Sequence, residues 1–538
     1  MRPQTFLVAL FTTAALSAQP AAITGAHIRA HTKFLSSDLL EGRGVGSRGG
    51  DLATDYLATQ FALAGLKPAG DKGTFFQAVP MVGVATEKSA QLALVKGGER
   101  VPLTWQDDFV GVTQRQQKQE EFEAEAVFVG HGITAPEFDW DDYRGIDVKG
   151  KIVVLFTNEP PSEDPKFFGG RALTYYGRWT YKYEQATRKG AVACIIVHTT
   201  PTAGYSWEVV RNSWGKEDPQ MVLENGQAAM GLAGWVTRKA GDRLFAHLGK
   251  TVDDMVKLAD TRGFKPVPLN IKLSAKLPTA VRPIASRNVV GFVEGSDPVL
   301  KNEAVVFSAH WDHLGIGVPV NGDAIYNGAV DNATGCATLL EIARVWAALP
   351  VKPRRSAIFL AVTAEESGLR GAEYYGLHPF IPNGKHALNV NYDALYPFGR
   401  TKDVVVTGAE RTTVWPTVQD IARRFNLIIA PDARPEQGLY YRSDHFSLAR
   451  VGVPAFSVKM GNELRSGSGS GDDFFVEFNS KNYHQPSDEY KESWDFAGME
   501  ELARFGMTIA LEVANQDKLP TWKAGDEFLP ARVASGVK

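Results

Sequence analysis

Apolar residues recur with a helical period from Ile28 to about Leu66. Leu35, Leu39, Leu40, Leu52, Tyr56, Leu57, Phe61 and Leu63 fall on one broad face, and Gly65 closes the second of two helices. From about Glu121 the pattern changes to short strands, AVFVG from Ala126, KIVVLF from Lys151 and AVACIIV from Ala191, separated by Gly-, Pro- and Tyr-rich loops. A helix over WTYKYEQATRKGA, closed by Gly190, precedes the last of them, and this stretch to about Lys276 reads as a small separate α/β module. From Arg287 strands alternate with helices: NVVGFVEG, AVVFSAH, a helix from Ala333 to Ala348, AIFLAVTAEE, ALNVNYDA from Ala387 and VVVTG from Val404. Continuous apolar strands with helical crossovers predict a mainly parallel sheet sandwiched by helices. SGSGSGDD from Ser466 is the one low-complexity stretch and predicts a flexible surface loop.

The leader-like start MRPQTFLVALFTTAALSAQPAA narrows the setting. Arg2, a short apolar core from Phe6 to Leu16 and small residues around Ser17 and Ala18 predict a secretory signal peptide over 1–18 and an exported, soluble chain. No later stretch approaches the roughly 20 apolar residues of a membrane span. With 538 residues and 44% hydrophobic content the chain is large enough for two or three domains. A net charge of −3, without any Lys/Arg-dense segment, gives no reason to expect nucleic acid or an anionic membrane as partner. Cys194 and Cys336, far apart in apolar surroundings, read as buried free thiols.

The chemistry gathers at the carboxyl ends of the predicted strands, where open α/β sheets place their sites. AVVFSAH runs into His310, Trp311, Asp312 and His313; Asp331 and Asn332 precede the next helix; AIFLAVTAEE ends in Glu365 and Glu366; ALNVNYDA ends near Asp393. Asp331 alone fits a helix cap and Asp393 alone a turn. Neither explains why carboxylates and imidazoles recur along one edge of the sheet. Carboxylates with one or two imidazoles suit zinc or a comparable divalent ion, and a shared carboxylate suits a pair of ions, whereas calcium would take oxygen ligands throughout. Strand alternation puts His310 and Asp312 on one side, so the Asp312 carboxylate is expected to accept the second ring N–H of His310.

HWDH, VDNATG, AEESGLRG, NYDA, SDHFSLARVGVPAFSV and YHQPSDEY occur in the order found in the co-catalytic zinc exopeptidases, a group that includes secreted bacterial leucyl aminopeptidases and glutamate carboxypeptidase. The chain resembles that family over nearly its whole length after the leader. The resemblance implies a zinc-exopeptidase, phosphorylase/hydrolase-like α/β fold with an inserted protease-associated domain at 121–276, flanked by peptidase segments at 19–120 and 277–538. It implies two zinc ions, one held by His310 and Asp393, the other by Glu366 and His484, with Asp331 bridging. Glu365 becomes the general base, Asp312 the orienter of His310, and Tyr483 a candidate donor to the developing oxyanion. There are departures: Asp393 is followed by Ala-Leu-Tyr where many members have Met followed closely by Gly, and Val330 replaces an acid often found before the bridging residue.

His313 and His445 are assigned supporting rather than ligating roles. Ser443, Asp444 and His445 are adjacent in sequence and cannot readily form a triad, and no nucleophile elbow is present. The expected function is removal of N-terminal residues from a peptide substrate. The alternatives are a carboxypeptidase of the glutamate carboxypeptidase type, for which Arg400 and Arg442 are candidate carboxylate anchors, and a non-catalytic binding homologue.

Overall fold

The computed structural model describes residues 21–537; the leader expected over 1–18 lies outside them. The fold is a mixed α/β sandwich built on a large sheet. At its centre Ser356–Val362, Ala304–His310, His386–Asn391 and Ala455–Met460 run parallel, in that spatial order. Antiparallel strands finish both sides: Phe76–Thr86 and the second half of Val267–Val293 on one, Asp403–Thr407 on the other. Every residue of Ala304–His310 and Ser356–Val362 is buried, which is why these segments read as unbroken apolar runs.

Alternation along the two strands divides their side chains between two cores. Val305, Phe307, Ala309, Ala357, Phe359 and Ala361 pack with the helices Thr334–Ala347 and Ala497–Asn515. Val306, Ile358, Leu360 and Val362 face Tyr375 and Phe446 from Arg370–Leu377 and His445–Arg450. Phe307 and Phe359 stack across the parallel pair with ring centroids 5.3 Å apart. Phe359 is fully buried, so Phe359→Ala is expected to lower stability by about 3–5 kcal/mol, measured as a shift in the denaturant midpoint at constant slope.

The two N-terminal helices form as Gly25–Leu35 and Arg48–Leu63, but not with one continuous apolar face. Leu35, Leu40, Leu57 and Phe61 are buried, whereas Leu39, Leu52 and Leu63 are exposed. The tight turns at Asp38–Arg43, where Glu41 and Gly42 leave helical geometry, rotate the second helix out of register with the first. The Ser466 stretch is exposed up to Ser470, which then caps the helix Gly471–Lys481 by a reciprocal bond with Asp473. Cys194 and Cys336 are both buried and unbridged.

A second sheet carries the inserted strands. Gln119–Phe128, Ile152–Leu155, Ala193–Val197 and Leu232–Val236 run parallel, with Phe109–Val112 antiparallel beyond them. Gln91–Lys96 and Glu99–Leu103 also join it, so it draws strands from both sides of residue 121. The strand Val267–Val293 belongs to both sheets: Lys272–Lys276 pair with the second and Thr279–Val293 with the first. Among the described residues no helix is long and apolar enough to cross a membrane.

Candidate metal centre

Five side chains converge beyond the carboxyl ends of the central strands. His310 is the last residue of its strand. The strand Ser356–Val362 stops before the two glutamates, and Ala364, with φ of 51°, turns the chain so that Glu365 and Glu366 hang from a loop rather than from the strand tip. Asp393 lies just past Asn391 and is followed by Ala394 at φ 50°; His484 itself has φ 56°. Three non-glycine residues in the left-handed region around one cluster cost on the order of 1–3 kcal/mol each, a cost that surrounding contacts must hold in place.

The distances fall into two groups that share one residue. His310 Nε2 is 3.3 Å from Asp331 Oδ1 and 3.3 Å from Asp393 Oδ1. His484 Nε2 is 3.5 Å from Asp331 Oδ2 and 2.9 Å from Glu366 Oε2. Ligand atoms of His310, Asp331 and Glu366 all lie within 4.8 Å of one another. His484 Nε2 is buried without a hydrogen bond despite its closeness to Glu366. His310 Nε2 is within hydrogen-bond reach of Asp393 Oδ1, and two imidazoles with three carboxylates form a donor set that fits divalent ions of the zinc type.

The electrostatics agree. Burial alone pushes His310 and His484 down, but the surrounding carboxylates outweigh it. Glu365, Asp331 and Asp393 raise His310 well above its ordinary value, and Glu366 and Asp331 raise His484 to about 9. Asp331 and Glu366 are held below the usual carboxylate range: the facing histidines more than offset the penalty of burial. Glu365 goes the other way, raised by burial and by the negative charges of Asp393, Glu366 and Asp444. The cluster therefore carries excess negative charge that bound cations would neutralise, drawing Glu365 back toward its ionised form.

The residues around the cluster mostly fix its geometry. His313 Nδ1 is 2.6 Å from Glu366 Oε1 and so orients that carboxylate. The role expected of Asp312 needs correction. The His310 Nδ1 contact is to the Asp312 backbone carbonyl at 3.1 Å, while the nearer carboxylate oxygen is 3.9 Å away. The Asp312 carboxylate is instead turned to the backbone N–H groups of Glu365 and Glu366, at 3.1 and 3.4 Å, where it holds the glutamate loop. Tyr483 stacks on His484 with centroids 4.0 Å apart, and burial keeps its hydroxyl protonated and able to donate. Ser443 Oγ accepts from Asn391 Nδ2 at 2.7 Å and has no bond to His445, so no serine triad forms. Arg400 reaches out to Glu500, whereas Arg442 lines the cavity that also contains Glu365 and Tyr483.

Two residues that sequence reasoning did not single out complete the frame. Asp488, inside YHQPSDEY, accepts from the backbone N–H groups of Val330 and Asp331 at 2.9 and 3.1 Å. Arg43 is buried and donates to the carbonyls of Trp311, Asn327 and Gly328. An arginine among the glycines of EGRGVGSRGG was the available signal, since a guanidinium there can meet carbonyls from several loops at once.

Residues 288–507, the segment that holds the whole cluster, match the model of peptidase family M28. That segment is similar to the members of this peptidase family. Its fold is similar to that of an aminopeptidase from Aneurinibacillus sp. strain AM-1, at 19% identity and a TM-score of 0.54, over 94% of this chain and 97% of that one. BSAP, a zinc aminopeptidase from Bacillus subtilis, is 16% identical with a TM-score of 0.47, over 95% of this chain and 98% of that one. A peptidase M28 precursor from Shewanella amazonensis SB2B is 17% identical with a TM-score of 0.44, over 92% and 98%.

Proposed function

We propose that the protein is an exported, zinc-dependent aminopeptidase using two ions, with its inserted α/β module a protease-associated domain. The observation that carries the reading is the pair of ligand groups sharing Asp331, with His484 Nε2 left free to bind. His310, Asp331 and Asp393 would hold one ion and Asp331, Glu366 and His484 the other. An ion bound there would supply an acidified water and would polarise the scissile carbonyl. Glu365, a neighbour of the ligands but not one of them, removes the proton from that water and returns it to the departing amine. Tyr483, neutral and close by, donates to the oxygen that gains charge.

An α-ammonium group needs carboxylates beside the reacting centre. A cavity of about 150 Å³ is lined by Glu365 and Asp393 together with Tyr396, Phe398, Phe475 and Phe478. This combination suits a free N-terminus bearing an apolar side chain. A specific observation favours the carboxypeptidase reading as the second choice. Arg178 of the inserted module and Arg442 line the smaller cavity beside Glu365 and His484, neither forms an ion pair with a carboxylate among the described residues, and Arg178 Nε is buried without a partner there. A panel of N-free, N-blocked and acidic C-terminal peptides, assayed with and without chelator, decides between the two. Turnover of N-free peptides alone is expected, and release of C-terminal residues from N-blocked peptides would overturn the aminopeptidase assignment.

A further inference from the structure

Helix Trp207–Trp214, which lies in the inserted module, ends at the metal centre. Its Trp214 ring packs against Trp179, Tyr183 and Trp235 of the module, with centroids 5.4, 5.5 and 6.3 Å away, so the helix is anchored on that side. On the other side, Ser213 Oγ is 2.9 Å from His484 Nδ1, and Asn212 Nδ2 donates to the His484 carbonyl at 3.1 Å. Just past the helix, Lys216 Nζ donates to the carbonyl of Leu314, next to His313, at 2.6 Å. Adjacent residues thus hold both the ring and the left-handed backbone of one candidate ligand.

We infer that Ser213 is a positioning residue for the second ion and that the inserted module completes the metal centre. The inference rests on the two-ion reading above. His484 can offer its Nε2 lone pair to an ion only in the tautomer that carries its proton on Nδ1, and Ser213 Oγ is the acceptor that selects this tautomer and fixes the ring plane. Asn212 holds the backbone conformation from which Nε2 points at Asp331 and Glu366. A module that only bordered the substrate cleft would need neither bond.

The test compares the full-length protein with Ser213→Thr, which keeps the hydroxyl, and Ser213→Val, which matches threonine in shape without it. Each protein is stripped of metal and titrated with zinc against a chromophoric chelator. The wild type and Ser213→Thr are expected to take up two ions. Ser213→Val should bind one ion normally and the other about 10- to 100-fold more weakly, with kcat recovering as zinc is raised. Equal affinity for both ions in Ser213→Val and Ser213→Thr would overturn the inference. If the wild type binds a single ion, the two-ion reading fails, and unchanged affinity for that ion in Ser213→Val would overturn the role of Ser213 as well. Should Ser213→Val not fold, Asn212→Ala is titrated in its place, with the same loss at one ion expected and two undiminished ions counting against the clamp.

Discussion

Glu365→Gln should bind zinc as the wild type does and lose at least about three orders of magnitude in kcat. A positioned general base commonly contributes 10²–10⁴-fold, and Glu365 has both proton transfers assigned to it. The amide keeps the size of the side chain and its place in the loop, because Asp312 holds that loop through the backbone rather than through the Glu365 carboxylate. Metal stoichiometry and kcat measured on the same preparation separate the two outcomes. Turnover within tenfold of wild type would remove Glu365 from the role of base. Loss of metal together with activity would make it a ligand.

Removing the metal should abolish activity and lower stability, with zinc restoring both. At an ion concentration a thousandfold above its dissociation constant each site contributes about 4 kcal/mol, so the melting temperature is expected to fall on chelation. The raised values of His310 and His484 add a signature. Their protons are held by the facing carboxylates in the absence of a cation, with His484 titrating at about 9. At pH 7 zinc must therefore expel protons as it binds, and affinity should strengthen as pH rises from 7 toward 9. Calorimetry in buffers of different ionisation enthalpy reads the released protons directly. Zinc uptake without proton release, or affinity that weakens over this range, would contradict the picture.

Much of the sheet and of the cluster was legible because both depend on local pattern. An all-buried parallel strand must be apolar throughout, so Ala304–His310 and Ser356–Val362 could be read directly. Their order across the sheet brings His310, Asp331, Glu366 and Asp393 together, as placement at the strand ends implies. His484 was reachable only through the family motif, because it comes from a loop after a helix with no strand to announce it. What escaped depended on contacts across long sequence separations. Arg43 bonds to loops more than two hundred residues away, and nothing in its own neighbourhood specifies them. Asp312 shows the limit of a periodicity argument: alternation placed it on the correct side of the strand, but the backbone N–H groups of Glu365 and Glu366 compete for its carboxylate, and these arrive from another strand. Ser213 is separated from His484 by the rest of the inserted module and most of the peptidase segment, so only the folded chain reveals the contact.

The strand Val267–Val293 also bears on motion. A domain that opens like a lid needs a hinge, a few residues able to change direction without breaking anything. Here the crossing from one sheet to the other is made by continuously paired backbone: Lys276 is bonded into the second sheet and Thr279 already into the first. Swinging the module away would mean unzipping a ladder. The module is thus fixed to the peptidase sheet by hydrogen-bonded backbone rather than hung from a loop.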